Sequence, residues 1–368
     1  MRDALYRPVD NAPLIAFRIM LGLLLACESF GAIFNGWVYT NLIWPKFTFS
    51  HIGMDWLQPL PGNGMYYYFM VMGVLGLLVM AGLRYRLSLA LFTLLWAGAY
   101  FMQKTNYNNH YYLLLLVCLV MLFLPANTYA SLDVMLKPSA KRYTMPAWCL
   151  LVMIAQITIV YFFATVAKFY PGWLTGAFPA LLLQSTLGHS FNNIAYTTWF
   201  PLFIAWSGLL FDMLVVPLFL FKRTRTIALI ASVIFHVFNS ATLKIGIFPF
   251  FALSFVVFFY PPDRIRRLFF PKKPVVEEEE VTTGWKGKAT LRYFFVPYLI
   301  LQLLLPVRHY FIKGDVLWTE EGHRLSWRMM LRFREGYTRF RVVDKATGKR
   351  LPYNALNELT PKQAGAMH

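Results

Sequence analysis

Residues 146–168 read PAWCLLVMIAQITIVYFFATVAK, and this stretch decides the class of fold. Its last residue, Lys168, is the only charged side chain within it. A helix rises 1.5 Å per residue, so about twenty apolar residues are needed to cross the roughly 30 Å hydrocarbon core of a bilayer. The stretch therefore predicts a transmembrane helix that carries a lysine at one of its ends.

Apolar segments of this kind recur along the whole chain. We expect about nine transmembrane helices, near residues 12–32, 66–83, 87–103, 110–127, 146–168, 199–221, 226–242, 246–260 and 291–312. The composition agrees, because only 14% of the residues are charged whereas about 25% is usual for soluble domains. The sequence therefore predicts an all-α polytopic membrane protein, integral to the membrane.

Basic residues are clustered in alternate loops between these segments. They are Arg84 and Arg86, then Lys137, Lys141 and Arg142, then Lys222, Arg223 and Arg225, and finally Arg264, Arg266, Arg267, Lys272 and Lys273. Basic loops remain in the cytoplasm, so we expect the N-terminus to be cytoplasmic and the C-terminus to be outside. The net charge of +18 is expected to face anionic membrane lipid, and we expect no nucleic-acid partner.

The chain is expected to contain a transmembrane domain and a small outer segment. Residues 1–312 would form the domain, with 261–290 as a flexible cytoplasmic linker loop that contains the acidic run Glu277 to Glu280. Residues 313–368 would form the extra-cytoplasmic segment, which we expect to be an incomplete, β-containing domain. Within it, the alternation over 338–344 and the following Thr347-Gly348-Lys349 predict a β-hairpin.

Polar residues gather at the expected outer ends of three helices. They are residues 104–110 (KTNYNNH), Lys168, and residues 235–240 (FHVFNS). Each has a structural alternative, since such residues also cap helix ends, snorkel to the interface or join neighbouring helices. Their placement on one side of the membrane favours an active-site rim.

Other chemistry-bearing patterns are weaker. Asp212 lies in the middle of the sixth segment, where a carboxylate must form an ion pair or line a cavity. The sequence contains no phosphate-binding loop and no HExxH motif. Nothing in the sequence pairs His110 with His236 across two helices, so a heme is disfavoured and no metal is expected.

Short motifs in collinear order extend over nearly the whole chain. They are residues 8–14 with Phe17-Arg18, Pro59-Leu60-Pro61 with Met65-Tyr66, Lys104-Thr105 with 108–110, residues 160–168 with Trp173, residues 235–240 with Gly246 and Phe248-Pro249, and Trp318-Thr319 with 326–330. Together they resemble the vitamin K-dependent γ-glutamyl carboxylase family, whose bacterial homologues carry the horizontally transferred transmembrane (HTTM) domain. The chain has Ala167 where members of the family carry a lysine, and Arg332 and His323 where they carry other polar residues. These differences affect the expected recognition of a propeptide, whereas Lys168 is retained.

The resemblance implies a membrane enzyme that oxidises reduced vitamin K to its epoxide and γ-carboxylates glutamyl residues of an exported protein. Its cofactor would be phylloquinol or menaquinol, its cosubstrates O2 and CO2, and its partners membrane lipid and a glutamate-containing protein or peptide. The implied catalytic residues are Lys168 as the base, because burial favours a neutral amine, with His110 and Asn109. Cofactor-binding residues would be His236, Asn239, Met329 and Met330, and substrate-binding residues Trp318, Ser326, Trp327 and Arg334.

Two alternatives stay open at this point. The first is a quinol oxygenase, or epoxidase, that does not carboxylate protein. The second is a membrane scaffold or transporter without enzymatic activity, in which the same motifs pack the helices. Incorporation of CO2 separates the carboxylase from the oxygenase, and replacement of Lys168 separates both enzymes from the scaffold.

Overall fold

The computed structural model describes residues 2–186, 192–243, 245–275, 287–329, 331 and 341–365. Its main apolar helices are α1 Ala12–Phe34, α2 Gly64–Ala81, α3 Tyr85–Met102, α4 Asn109–Leu122, α5 Trp148–Ala167, α6 Trp199–Leu220, α7 Arg225–Leu243, α8 Phe248–Ser254 and α9 Val296–Val307. The nine segments expected from the sequence are thus all helical, and the chain is a polytopic, mainly α-helical membrane protein.

The helices differ in whether their length suffices to cross a bilayer. Within the described residues, seven helical stretches are long and apolar enough: α1, α2, α3, α5, α6, α7 and Lys288–Phe311, which contains α9. The other two, α4 and Phe248–Phe258, are shorter than the sequence predicted. Pro125 lies three residues beyond the end of α4, and Pro261 lies three residues beyond Phe258; a proline disfavours continuation of a helix because it lacks the amide hydrogen and its ring clashes with the preceding turn.

Shorter elements connect and extend these helices. They are the α-helices Arg2–Tyr6, Leu132–Leu136, Pro171–Leu174, Ala177–Thr186, Asn192–Ala195, Pro262–Phe269, Lys288–Thr290, Val316–Thr319 and Pro361–Gly365, the π-helices Tyr39–Ile43 and Leu291–Phe295, and the 3₁₀-helices Lys104–Asn106, Pro138–Ala140, Phe255–Phe258, Arg308–Phe311 and Ala355–Glu358. The described part of the chain also contains four short strands: β1 Pro8–Asp10, β2 Thr144–Pro146, β3 Val342–Val343 and β4 Arg350–Leu351.

The predicted C-terminal hairpin is present. β3 pairs with β4 in antiparallel register, with Val342 opposite Leu351. The Asp344 carboxylate accepts hydrogen bonds from the Ala346 and Thr347 amides, each at 2.8 Å, and these amides lower the pKa of Asp344. The first residues of the predicted strand, 338–340, lie outside the described part of the chain.

The closest helix packing is between α1 and α2, where glycine lets two backbones meet. A Cβ atom on Gly22 would lie 2.2 Å from the backbone nitrogen of Met80, and one on Gly76 would lie 2.6 Å from that of Ala26. Such contacts leave no room for a side chain, and small residues provide them in membrane helix pairs. Buried side chains of this pair share one hydrophobic core with those of α4, α5 and α8.

Ion pairs around Asp10 join three distant segments at one face of the helices. Lys273 donates to the Asp10 carboxylate and to the Tyr143 carbonyl, the latter at 2.9 Å, and Arg266 Nε lies 3.3 Å from Asp10 Oδ2. We call Asp10, Arg266 and Lys273 the Asp10 cluster. Because β1 also pairs with β2 here, the N-terminus and the loops after α4 and α8 lie at the same face, as the alternating basic loops predicted.

Part of the expected linker is ordered by this cluster. Residues 262–269 form a helix, and both Arg266 and Lys273 are buried, because each finds the Asp10 carboxylate as a partner. Burial lowers the pKa of Lys273, and the hydrogen bond to Asp10 opposes that shift. The structure therefore differs from the expectation of a flexible linker over these residues; the acidic run Glu277 to Glu280 lies outside the described residues.

Candidate active site

A cavity of about 640 Å³ lies among α5, α6, α7 and α8. Its walls are mostly aliphatic and aromatic, for example Ile157, Phe211 and Phe235. Two of its lining residues, Phe203 of α6 and Ile234 of α7, are 58% and 65% exposed on the outside of the helices. The cavity therefore opens sideways between α6 and α7, toward the surface that faces lipid.

Lys168 and Asp212 form a buried ion pair on the wall of this cavity. Lys168 is the C-cap of α5, and its amide bonds to the Thr165 carbonyl at 3.0 Å, which fixes the residue at the end of the helix. Its amine contacts the Asp212 carboxylate of α6, and the two side chains are 8% and 5% exposed. A lysine buried against a carboxylate does not snorkel, so the structure does not support that alternative.

An indole ring also lies close to the amine. Lys168 Nζ lies 5.2 Å from the centre of the Trp173 ring, a separation that permits a cation–π contact. Trp173 is itself held in place, because its Nε1 donates to the Ala205 carbonyl at 2.9 Å. The amine therefore has both a carboxylate and an aromatic ring as neighbours, at the wall of an apolar cavity.

Two histidines reach the same cavity from different helices. His236 is buried, with its Nε2 3.3 Å from the Tyr161 hydroxyl. His110 stacks on Phe248 with ring centres 3.7 Å apart, and the Phe248 and His236 rings are 6.0 Å apart. The tertiary structure thus brings together two histidines that the sequence left unpaired, with Phe248 in contact with both. Within the described residues, no group of three or more histidine, cysteine, aspartate or glutamate side chains is arranged to hold a metal ion.

Asn109 lies beside the cavity and holds the segment that closes it. Its Nδ2 donates to the Arg328 carbonyl at 3.1 Å, and its Oδ1 accepts from the Tyr107 hydroxyl at 3.1 Å. The same hydroxyl accepts from the Leu325 amide at 2.6 Å. Burial raises the pKa of Tyr107 to about 12, so its hydroxyl stays neutral and keeps its proton for Asn109. Asn109 therefore positions residues 325–328 against the membrane domain.

The remaining predicted site residues fall into four groups. Asn239 and Met329 line the cavity. Ser326 and Trp327 are buried beside it: Ser326 Oγ donates to the Gly322 carbonyl at 2.6 Å, and Trp327 stacks on Tyr112 at 5.0 Å. Trp318 is 81% exposed on the surface. Met330 and Arg334 lie outside the described residues.

The structure thus gathers Lys168, His110, His236, Asn239 and Met329 around one cavity. It also adds Asp212, Tyr161 and Trp173, to which the sequence gave no site role. Signals for two of them were present: Asp212 is a carboxylate within an apolar span, and Tyr161 precedes Lys168 by two helical turns, so both residues lie on the same side of α5.

Family comparisons agree with this arrangement. The family model for the HTTM domain matches residues 6–264, which contain all of these cavity residues except Met329. The model for the vitamin K-dependent gamma-carboxylase lumenal domain matches residues 287–368, and its name assigns the C-terminal side to the extra-cytoplasmic space. No solved structure matches the chain. The chain therefore belongs to the vitamin K-dependent gamma-carboxylase family, as an integral membrane member with an HTTM domain and the family's lumenal domain.

Proposed function

We propose that this protein oxidises a reduced vitamin K-type quinone to its epoxide and couples that reaction to γ-carboxylation of glutamyl residues in an exported protein. The observation that carries the proposal is the buried Lys168–Asp212 pair in an apolar cavity that opens between α6 and α7. An amine at this position would remove a proton from a ligand that arrives through lipid.

The residues present fit a prenylated naphthoquinol. The cavity of about 640 Å³ lies within the range of roughly 300–1,000 Å³ that is typical of small-molecule sites. Its aromatic and aliphatic walls suit a flat ring and an isoprenoid chain, and its opening between Phe203 and Ile234 lets the chain extend into lipid. Its polar groups, from Lys168, Asp212, Tyr161, His110 and His236, suit the quinol hydroxyls.

The quinol, when bound, would supply the four electrons that reduce O2, two from the hydroquinone and two from the ring double bond that becomes the epoxide, so that one oxygen atom ends in the epoxide and the other in water while a glutamyl γ-proton is exchanged for CO2. The protein's part is to start this reaction. Lys168 would take a proton from a quinol hydroxyl, for which its amine must first be neutral. Asp212 is positioned to accept the ammonium proton, and the pair stays neutral overall in either form, so no isolated charge is left in the apolar cavity.

The histidines and Tyr161 would direct hydrogen bonds at the negative charge that develops on oxygen. Tyr161 and His236 share a hydrogen bond, which fixes the direction of the imidazole. His110 is held by its stack on Phe248. Asn239 and Met329 would contact the quinol ring, and Asn109 would act indirectly, through the Arg328 carbonyl.

We also propose an orientation for the chain. With the Asp10 cluster on the cytoplasmic side, where basic loops remain, α5 carries Lys168 toward the other side. The acceptor protein would then meet the active site after export. This agrees with the extra-cytoplasmic assignment of the C-terminal region.

The test is a reconstitution that follows two products separately. Detergent-purified protein receives phylloquinol or menaquinol, O2, labelled bicarbonate and a short glutamyl peptide; quinone epoxide and fixed label are measured. Both products are expected. Epoxide without label would support the oxygenase alternative, and neither product from folded protein would refute the enzyme proposal.

A further inference from the structure

Glu28 is a carboxylate near the C-terminal end of α1, outside the cavity of about 640 Å³ and the ion pairs at Lys168 and Asp10. A carboxylate within a transmembrane helix is costly and needs partners. Glu28 is hydrogen-bonded to the Tyr111 hydroxyl of α4 and to the backbone amide of Ile247, the residue before α8. One side chain of α1 thus joins α4 to the start of α8.

The two partners of Glu28 are the chain neighbours of two residues of the candidate active site. Tyr111 follows His110 in α4, and Ile247 precedes Phe248. His110 lines the cavity and stacks on Phe248, with ring centres 3.7 Å apart. Successive residues of a helix project about 100° apart, so His110 can face the cavity while Tyr111 reaches Glu28. The carboxylate therefore bridges the two segments one residue away from the stacked rings.

The turn before α8 passes close to this carboxylate. Gly246 has φ +60°, a backbone conformation that favours glycine. A Cβ atom on Gly246 would lie 3.5 Å from Glu28 Oε2, which is van der Waals contact. The turn that leads into Phe248 is therefore packed against Glu28 as well as hydrogen-bonded to it.

Tyr111 is itself held in place. Its amide donates to Asn108 Oδ1 at 2.7 Å, and its carbonyl accepts from Trp96 Nε1 at 3.2 Å. Its ring meets the Trp96 ring edge-on, with centres 5.0 Å apart. A cavity of only about 20 Å³ adjoins Glu28 and is lined also by Trp37 and Trp96. With so little room for water, hydrogen bonds to the carboxylate are stronger than at an open surface.

We propose that Glu28 is a positioning residue of the active site, whose carboxylate holds the stacked His110 and Phe248 rings so that His110 can direct a hydrogen bond at the quinol oxygen. The proposal rests on the proposed function and extends it to α1, a helix from which no described residue lines the cavity. A misplacement of about 1 Å can lower a rate about 10²-fold. Loss of the bridge should therefore affect turnover, while the affinity for quinol changes little.

The first test needs no turnover. Purified full-length protein without quinol is treated briefly with diethyl pyrocarbonate, which modifies accessible imidazoles, and the label on each histidine is measured by mass spectrometry. Glu28→Ala should raise the labelling rate of His110 severalfold, because the ring stack that covers it loosens. Unchanged labelling of His110 in folded variant protein would overturn the proposal, whether or not the unmodified protein makes epoxide.

Ser29→Ala is the matched control for this test. Ser29 is the next residue of α1 and is buried, but its hydroxyl donates to the Leu25 carbonyl of its own helix at 2.8 Å. Its replacement removes a polar group at the same depth without opening the bridge. The labelling of His110 should therefore match that of the unmodified protein, and a rise equal to that in Glu28→Ala would count against a specific role of Glu28.

The second test measures epoxide formation. Glu28→Ala should lower kcat about ten- to hundredfold, with little change in the KM for quinol. Glu28→Gln should recover most of the rate, because its side-chain oxygen can still accept from Ile247 and its nitrogen can donate to Tyr111. If glutamine were as damaging as alanine, Glu28 would act by carrying a proton and the positioning role would be wrong.

Two further variants test the route of the effect. Glu28→Ala should cause no further loss of kcat in a His110→Ala background, because residues that act through one another are not additive; additive losses would show that Glu28 does not act through His110. Tyr111→Phe guards against misfolding, since it removes only a hydroxyl and keeps the ring. It should change both labelling and kcat in the same direction as Glu28→Ala, by a smaller factor; no change in either would refute the bridge.

Discussion

Among the residues that the structure describes, two lysine–aspartate pairs are buried, Lys273 with Asp10 and Lys168 with Asp212, at opposite ends of α5. Around Asp10 the protein supplies every contact: Lys273 also donates to the Tyr143 carbonyl, Arg266 adds a second positive charge, and the Asp10 carboxylate accepts from the Ala12 amide at 2.8 Å. The Lys168 amine instead lies beside a cavity of about 640 Å³.

The difference shows what distinguishes a structural ion pair from a reactive one. Both pairs are buried, and burial alone would mark both as candidate sites. In the Asp10 cluster the lysine is enclosed by protein partners that join the N-terminus to two loops. Lys168, the partner of Asp212, lines a cavity that can hold a ligand. We therefore expect replacement of Lys168 to lower activity while the fold persists, and replacement of Lys273 to lower stability while activity persists.

The largest effect is expected for Lys168→Ala, which should lower epoxide formation by at least about 10³-fold, because a positioned base is lost. The fold should persist, since Asp212 can take up a proton rather than remain charged and unpaired. Epoxide is measured by chromatography, and folding by size-exclusion elution and thermal unfolding. Normal turnover by folded variant protein would contradict the proposed role.

Lys273→Ala should have the reverse outcome. Lys273→Ala removes a charged hydrogen-bond partner from the Asp10 carboxylate, while Arg266 still balances its charge. The expected cost is about 1.5–3 kcal/mol of stability, so unfolding should occur at lower temperature or denaturant concentration. Activity per folded molecule should match that of the unmodified protein, because the Asp10 cluster lies far from the cavity. Lys272→Ala, at the exposed neighbouring position, is the control and should change neither property. If Lys273→Ala lost turnover without losing stability, the distinction between a structural and a reactive ion pair would be wrong.

Asp212→Asn should have an intermediate effect, on rate more than on folding. The amide retains a hydrogen bond to the amine but cannot accept its proton, so epoxide formation should fall by about 10²-fold. The affinity for quinol should change little, because the cavity keeps its shape. Asp212→Glu should restore part of the rate; an equal loss in both variants would indicate that Asp212 only holds Lys168 in position.

The smallest effect is a pH dependence of stability, and it arises from His51, in the loop after α1. Burial, with the positive charges of Arg324 and Lys104, lowers the pKa of His51 below its usual 6.5. The fold therefore favours neutral His51; its contribution to stability is complete above pH 6.5 and is lost as the pH falls through the lowered value. The unfolding temperature should drop slightly between pH 7.5 and pH 5. His51→Gln should reduce that drop, and an unchanged slope would exclude His51 as its source.

How much the sequence could predict varies between the fold and the site. Long apolar runs determine helices locally, so all nine segments were found, although α4 and α8 end before the predicted bounds. The Asp10 cluster was hidden because its partners are 263 positions apart in the chain. From sequence alone, a charged loop is interpreted as a solvated linker. Only the tertiary structure shows that Arg266 and Lys273 of this loop pair with a buried carboxylate.

The sequence by itself determined the membrane class, the alternation of basic loops and the presence of Lys168, His110 and His236, because hydropathy, charge and short motifs are properties of neighbouring residues. The tertiary structure alone decided that Asp212 faces Lys168, that both histidines contact Phe248, and that Ser326 and Trp327 pack beside the cavity while Trp318 is exposed. Those outcomes depend on how helices distant in sequence rotate and tilt against one another, which is set by the packing of the whole domain.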